Sequence, residues 1–122
     1  MMELPVVLLV EDEFLIRLAT ADALGRAGFF VLEAEDANEA ICSLEERDDI
    51  RIVFTDIDLG STVDGVELLH SIAGRWPPIR VFATSGAAAP RSGERLPMGA
   101  AFFTKPYNDA ELIDAFRRAL AA

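Results

Sequence analysis

Short apolar runs alternate along this chain with longer segments in which apolar residues recur at helical spacing. The apolar runs predict strands at residues 4–10, 29–34, 51–55, 80–83 and 100–104. The periodic segments predict helices at residues 14–27, 37–46, 64–75 and 108–120. In the first helix the expected buried stripe is Ile16, Ala19, Ala23 and Ala27. Strand–helix alternation with apolar strands predicts a parallel sheet covered by helices on both faces.

One expected element is weak. Parallel neighbours need a crossover connection, so a fourth helix is expected between the last two strands. The connecting stretch at residues 85–100, SGAAAPRSGERLPMGA, carries prolines and glycines that oppose a long helix. We therefore expect a short or irregular fourth helix, at most one turn around residues 91–96.

Length and composition narrow the class of protein. With 122 residues and 52% hydrophobic content, we expect one folded domain over residues 1–122 and no attached output domain. No apolar run is long enough for a membrane span, and the beginning of the chain does not resemble a signal peptide. The single cysteine, Cys42, cannot form an internal disulfide, and we expect it to pack as a small hydrophobe. We therefore expect a cytoplasmic protein that does not bind a membrane.

Charge is unevenly distributed and excludes one class of partner. The net charge is −10, of which residues 1–64 contribute −12 and residues 65–122 contribute +2. A protein of this balance is a poor match for phosphate backbones, so we expect no nucleic acid partner. An acidic half does suit a site for a divalent cation.

Chemically active side chains follow four of the five predicted strands. Glu11 and Asp12 come after the first strand, Asp56 after the third, Thr84 after the fourth and Lys105 after the fifth. The second strand is followed by no such group, which fits an edge position. Because sites in open parallel sheets lie beyond the carboxyl ends of the strands, these side chains are expected on one rim.

The carboxylates expected on this rim require positive charge nearby. Two carboxylates about 4 Å apart repel by roughly 4 kcal/mol at an effective dielectric constant near 20. A hard cation with oxygen ligands, Mg²⁺ in its usual style, removes that repulsion. Lys105 is a point charge suited to phosphate, and an aspartate carboxylate can accept a phosphoryl group as an acyl phosphate. The sequence therefore predicts a magnesium-dependent phosphoryl site.

Over essentially its whole length the sequence resembles the receiver domains of bacterial two-component response regulators. The resemblance rests on five motifs in order: VVLLVEDE at residues 6–13, VFTDIDLG at 53–60, DG at 64–65, FATSG at 82–86 and FFTKPY at 102–107. It implies a flavodoxin-like, doubly wound five-stranded parallel sheet in the order 2-1-3-4-5, with helices on both faces.

The resemblance also implies a role for each site residue. Asp56 is implied as the phosphoacceptor, and Lys105 as the lysine that contacts the phosphoryl group. The implied metal ligands are Asp12 and Asp56 directly, Glu11 through water, and Asp58 through its backbone carbonyl. Thr84 is implied as the switch hydroxyl and Phe102 as the switch aromatic.

The resemblance to receiver domains also implies a phosphodonor and an output, while a second resemblance offers an alternative function. The implied phosphodonor is a sensor histidine kinase or a histidine phosphotransfer protein, and the implied output is binding of a further protein or phosphate relay. The domain would be a switch with slow hydrolysis of its own acyl phosphate rather than a conventional enzyme. The alternative is a haloacid-dehalogenase-like phosphohydrolase that uses Asp56 and Asp58, since DIDLG after an apolar strand is similar to the opening motif of that family.

Overall fold

The computed structural model describes residues 3–59, 65–86 and 96–122, and these ranges contain five strands and four helices. The strands are β1 (Val6–Val10), β2 (Phe30–Ala34), β3 (Ile50–Asp56), β4 (Arg80–Ser85) and β5 (Ala101–Thr104). The helices are α1 (Phe14–Arg26), α2 (Ala37–Glu46), α3 (Gly65–Arg75) and α4 (Asp109–Ala121).

The predicted sheet is confirmed in its topology. All four strand pairs are parallel, and the order is β2-β1-β3-β4-β5, which leaves β2 at an edge as expected. Two strands run further than the sequence indicated, because ladder pairing continues through Asp56 opposite Thr84 and through Ser85 opposite Thr104. Asp56 and Thr84 are thus the ends of regular strands, and their backbones are fixed by the sheet.

Each face of the sheet has its own apolar core. One core packs β-strand side chains against α2 and α3, with Leu44, Leu69 and Ile72 almost completely buried. The other packs the opposite strand positions against α1 and α4, around Phe54 and Phe116. Fully burying one such side chain contributes roughly 1.5–3 kcal/mol, so both cores hold the strand ends firmly.

The predicted buried stripe of α1 is wrong by one position. The buried residues of this helix are Thr20 and Leu24, whereas Ala19 is exposed and Ile16 is only partly covered. Apolar residues surround α1, with Phe14, Leu15 and Leu18 at least half exposed, so apolar spacing alone could not identify the buried face. Cys42 is likewise exposed on α2 and not packed in the core as expected.

The weak crossover between β4 and β5 lies mostly outside the described residues. The structure describes the chain up to Gly86 and again from Leu96, so the expected short helical turn at residues 91–96 is not tested. Across the three described ranges, the helices are all too short or too polar to cross a bilayer.

Candidate functional site

Four of the side chains singled out from the sequence share one face of the sheet. Alternate residues of a strand point the same way. Glu11, Asp56, Thr84 and Lys105 therefore continue rows that begin two residues earlier with Leu9, Phe54, Phe82 and Phe103. Those four apolar residues all belong to the core beneath α1 and α4. Strand periodicity, together with the parallel register, gathers the site on one rim.

Lys105 is the centre of this rim. Its Nζ lies 2.7 Å from Asp56 Oδ2, to which it donates a hydrogen bond, and 2.7 Å from Glu11 Oε1. The two carboxylate side chains are 5% and 2% exposed, and the lysine side chain is 14% exposed. A single ammonium thus faces two buried carboxylates, which leaves a surplus of negative charge.

The pKa values of two groups record this crowding. Burial raises the pKa of the Glu11 carboxyl, and the Asp56 charge raises it further, while Lys105 and the Glu13 backbone N–H oppose the rise. Burial alone would lower the pKa of Lys105, but the hydrogen bonds and charges of Asp56 and Glu11 hold it above its ordinary value. Lys105 is therefore a permanent cation at neutral pH.

An acidic cluster suited to a hard cation surrounds the same point. Glu11, Asp12 and Asp56 each offer a carboxylate oxygen, and these three atoms lie within 4.8 Å of one another. Asp12 is exposed, whereas Glu11 and Asp56 are buried, so the cluster opens towards solvent on one side. An all-oxygen donor set that keeps room for water fits Mg²⁺.

The loop after β3 is hydrogen-bonded to Asp56. The Asp58 backbone N–H donates to Asp56 Oδ1 at 2.8 Å, so both carboxylate oxygens of Asp56 have partners. The Asp58 side chain accepts a hydrogen bond from the Ser85 hydroxyl at the end of β4. The side chain of Asp58 therefore points to β4.

Gly65 sits at the start of α3 in direct contact with the same backbone. Its N–H donates to the Ile57 carbonyl at 3.2 Å, and a Cβ at this position would lie 2.2 Å from the Asp56 carbonyl oxygen. Atoms cannot approach that closely, so only glycine lets α3 begin here. The glycine of the DG motif thus fixes α3 against the end of β3.

The two residues predicted for a switch occupy different faces. The Thr84 hydroxyl is buried and has no hydrogen-bond partner among the described residues, although it lies on the rim opposite Asp56 in the ladder. Phe102 is partly buried and packs against the core beneath α2 and α3. Its role as a switch aromatic stays a prediction.

Two contributors to the site, Arg17 and Tyr107, were not predicted from the sequence. Arg17 donates from Nη1 to the Glu11 carbonyl at 2.8 Å and pairs with Glu33 at 3.2 Å, which holds the acidic turn. Tyr107 is hydrogen-bonded to Thr20. Both depend on which side of α1 faces the rim, so the misjudged stripe of that helix concealed them.

Comparison with known proteins agrees with the geometry. The family described as the response regulator receiver domain matches residues 7–117. The chain is 32% identical to the sensor kinase CckA of Brucella abortus and 33% identical to the response regulator protein FleR of Pseudomonas aeruginosa. These matches cover 93% and 92% of the chain, but the chain spans only 12% and 24% of those relatives.

A solved structure gives the same result for the fold. The response regulator receiver protein from Sinorhizobium medicae superposes with a TM-score of 0.88 and 28% identity, over 98% of this chain and 97% of that one. With the family assigned, no observation favours the phosphohydrolase alternative. The chain belongs to the receiver domain family of bacterial two-component response regulators.

Proposed function

We propose that Asp56 accepts a phosphoryl group from a phosphohistidine on a sensor histidine kinase or a histidine phosphotransfer protein. The observation that carries this proposal is the position of the Asp56 carboxylate, buried among like charges and 2.7 Å from the one lysine of the chain. Receiver-type relatives such as the CckA protein, named a sensor kinase, support the choice of donor class.

In this mechanism Asp56 is the nucleophile. A bond forms between its carboxylate oxygen and phosphorus, while the bond between phosphorus and the donor imidazole breaks in line. Lys105 pairs with a phosphoryl oxygen and offsets part of its charge. Magnesium would be held directly by Asp12, Asp56 and the Asp58 carbonyl, with Glu11 acting through water. It would neutralise the oxygens of the transferring group.

Thr84 supplies the response to phosphorylation. Its buried hydroxyl has no partner among the described residues, so it is available to donate to a phosphoryl oxygen on the facing Asp56. A hydrogen bond to a charged group is worth roughly 1.5–3 kcal/mol, enough to shift a population between two conformations. Another protein would then bind the altered rim, which includes Phe102 on the edge strand. Alternatively, the phosphoryl group would pass to a further histidine. Slow hydrolysis of the acyl phosphate ends the signal.

The acceptor is tested by phosphorylation with a small phosphodonor. In the presence of Mg²⁺, one hydroxylamine-labile phosphoryl group should appear by mass spectrometry, and Asp56→Asn should abolish it. Asp49→Asn, an exposed carboxylate beside the start of β3, is the matched control and should label normally. Continued labelling of Asp56→Asn at another residue would overturn the assignment.

The switch is tested separately. Thr84→Ala should still be phosphorylated, but the change in the ring signals of Phe102 on adding Mg²⁺ and beryllofluoride should be lost. Identical spectra of wild type with and without beryllofluoride would leave a phosphate carrier without a switch at this position.

A further inference from the structure

Tyr107 connects the lysine loop, residues 105–108 between β5 and α4, to two other parts of the structure. Its hydroxyl lies 2.6 Å from the hydroxyl of Thr20, a 4% exposed residue of α1, and the two share a hydrogen bond that either can donate. Its ring contacts the edge of Phe54 with centroids 5.2 Å apart, and Phe54 precedes the acceptor Asp56 by two residues. One side chain thus connects the loop of Lys105 with β3 and with α1.

Helix α1 is also attached to the acidic turn. Arg17, one turn before Thr20, donates to the Glu11 carbonyl at 2.8 Å. The same guanidinium pairs with Glu33 on β2 at 3.2 Å, which holds it in place. Consecutive turns of α1 therefore contact the acidic turn on one side of the rim and the Tyr107 hydroxyl on the other.

An open cleft of about 440 Å³ lies beside this connection. Leu15, Ile16 and Ala19 line it on α1, and residues 105–107 line it on the loop. The backbone of the loop is held at Lys105, whose N–H donates to the Ser85 carbonyl at 2.8 Å, and its tyrosine ring packs on Phe54. The hydrogen bond between the Thr20 and Tyr107 hydroxyls adds a polar link from the loop to α1 at the edge of the cleft.

We infer that Tyr107 and Thr20 are positioning residues that hold the Lys105 ammonium against Asp56 and Glu11. The inference rests on the proposed function only in that Lys105 would orient a phosphoryl group. Neither hydroxyl touches the reacting atoms, and their effect passes through Pro106, the one residue between Tyr107 and Lys105. Without the hydrogen bond, the ammonium spends less time between the two carboxylates.

Two substitutions remove the hydrogen bond and keep the packing. Tyr107→Phe retains the ring on Phe54, and Thr20→Val retains the shape of the buried side chain. Ser71→Ala, which removes an exposed hydroxyl from α3, is the matched control. Urea unfolding of each variant shows that it is folded before any other measurement is compared.

The decisive measurement needs neither metal nor phosphate. Lys105 is the only lysine of the chain, so isotopically labelled, metal-free protein gives one lysine side-chain ammonium signal by NMR. Tyr107→Phe and Thr20→Val should each broaden and shift this signal, the double variant should do so no further, and Ser71→Ala should leave it unchanged. An unaltered ammonium signal in both single variants would overturn the inference.

Phosphorylation kinetics give a second readout. With a small phosphodonor and saturating Mg²⁺, each single variant should react about three- to tenfold more slowly, the range expected for one hydrogen bond. The double variant should match the single ones, because both remove the same bond. Rates that multiply in the double variant would overturn the coupling. If wild type takes no phosphoryl group, the proposed function fails, while the ammonium spectra still decide the inference.

Discussion

The two ends of the sheet differ in how their charged side chains are paired and buried. At the amino end, where the helices finish, exposed ion pairs such as Arg47 with Asp49 and Arg118 with Asp114 neutralise one another. At the carboxyl end, Lys105 is shared by two carboxylates that are almost completely buried. Exposed pairs contribute little to stability, whereas a buried surplus of one sign must be balanced. The difference supports the proposal that the carboxyl end binds a cation and a phosphoryl group.

Removing the shared cation should have the largest effect. Lys105→Met leaves two buried carboxylates without their counter-charge, so we expect the metal-free protein to lose about 3–5 kcal/mol of unfolding free energy. Arg118→Met, which breaks an exposed pair at the other end, should cost about 0–1 kcal/mol. Urea unfolding in the presence of a chelator measures both. Equal losses would mean that the two ends do not differ.

Packing separates the two ends in the same way. In α3, Gly65 lies against the Asp56 carbonyl, while a Cβ on Gly74, near the other end of the helix, would meet no atom within 4 Å. Gly65→Ala should cost about 2–3 kcal/mol through overpacking, and it should slow phosphorylation because the acceptor strand shifts. Gly74→Ala should stabilise by up to about 1 kcal/mol. Thermal unfolding compares them, and a neutral Gly65→Ala would disprove the tight fit.

Metal binding should be confined to one acidic group of the carboxyl end, the one formed by Glu11, Asp12 and Asp56. Mg²⁺ at a hundred times its dissociation constant should raise the unfolding free energy of wild type by about 2.7 kcal/mol. Asp12→Ala should lose most of that gain and Glu11→Ala less, because the first is expected to bind directly and the second through water. Asp36→Ala, in an acidic group at the start of α2, is the control. If it lowers the Mg²⁺ effect as much as Asp12→Ala does, the cation is bound elsewhere.

The smallest effect concerns the one tyrosine. Burial, with the Glu11 charge, raises the pKa of Tyr107 above 10.0, so the folded protein favours the neutral phenol. Its contribution to stability is present below pH 10 and should be lost as the pH rises from there through the folded-state pKa. Urea unfolding across that range, followed by circular dichroism because the variant has no phenol, should show a steeper loss of unfolding free energy in wild type than in Tyr107→Phe. Parallel curves would contradict it.

Much of the architecture could be predicted because the strands are short apolar runs flanked by polar or turn-forming residues. The order of the sheet came from the resemblance to receiver domains, and the edge position of β2 from the lack of a reactive group after it. The site residues could be placed on one rim because parallel strands align their carboxyl ends. Contacts of α1 could not be predicted, since that helix exposes Phe14, Leu15 and Leu18 and buries a threonine. Apolar spacing carries no information about a polar residue that is buried to make one hydrogen bond.

The one lysine of this chain lies between the buried carboxylates of Glu11 and Asp56, so its environment can be probed by covalent modification. An ammonium held between two carboxylates is a poor nucleophile, since only the free amine attacks an acylating reagent. The acylation rate of this residue, followed by mass spectrometry, should therefore fall as its ion pairs become stronger. Any binding partner, metal or variant that releases the amine would raise the acylation rate at Lys105, which peptide mapping distinguishes from acylation of the α-amino group.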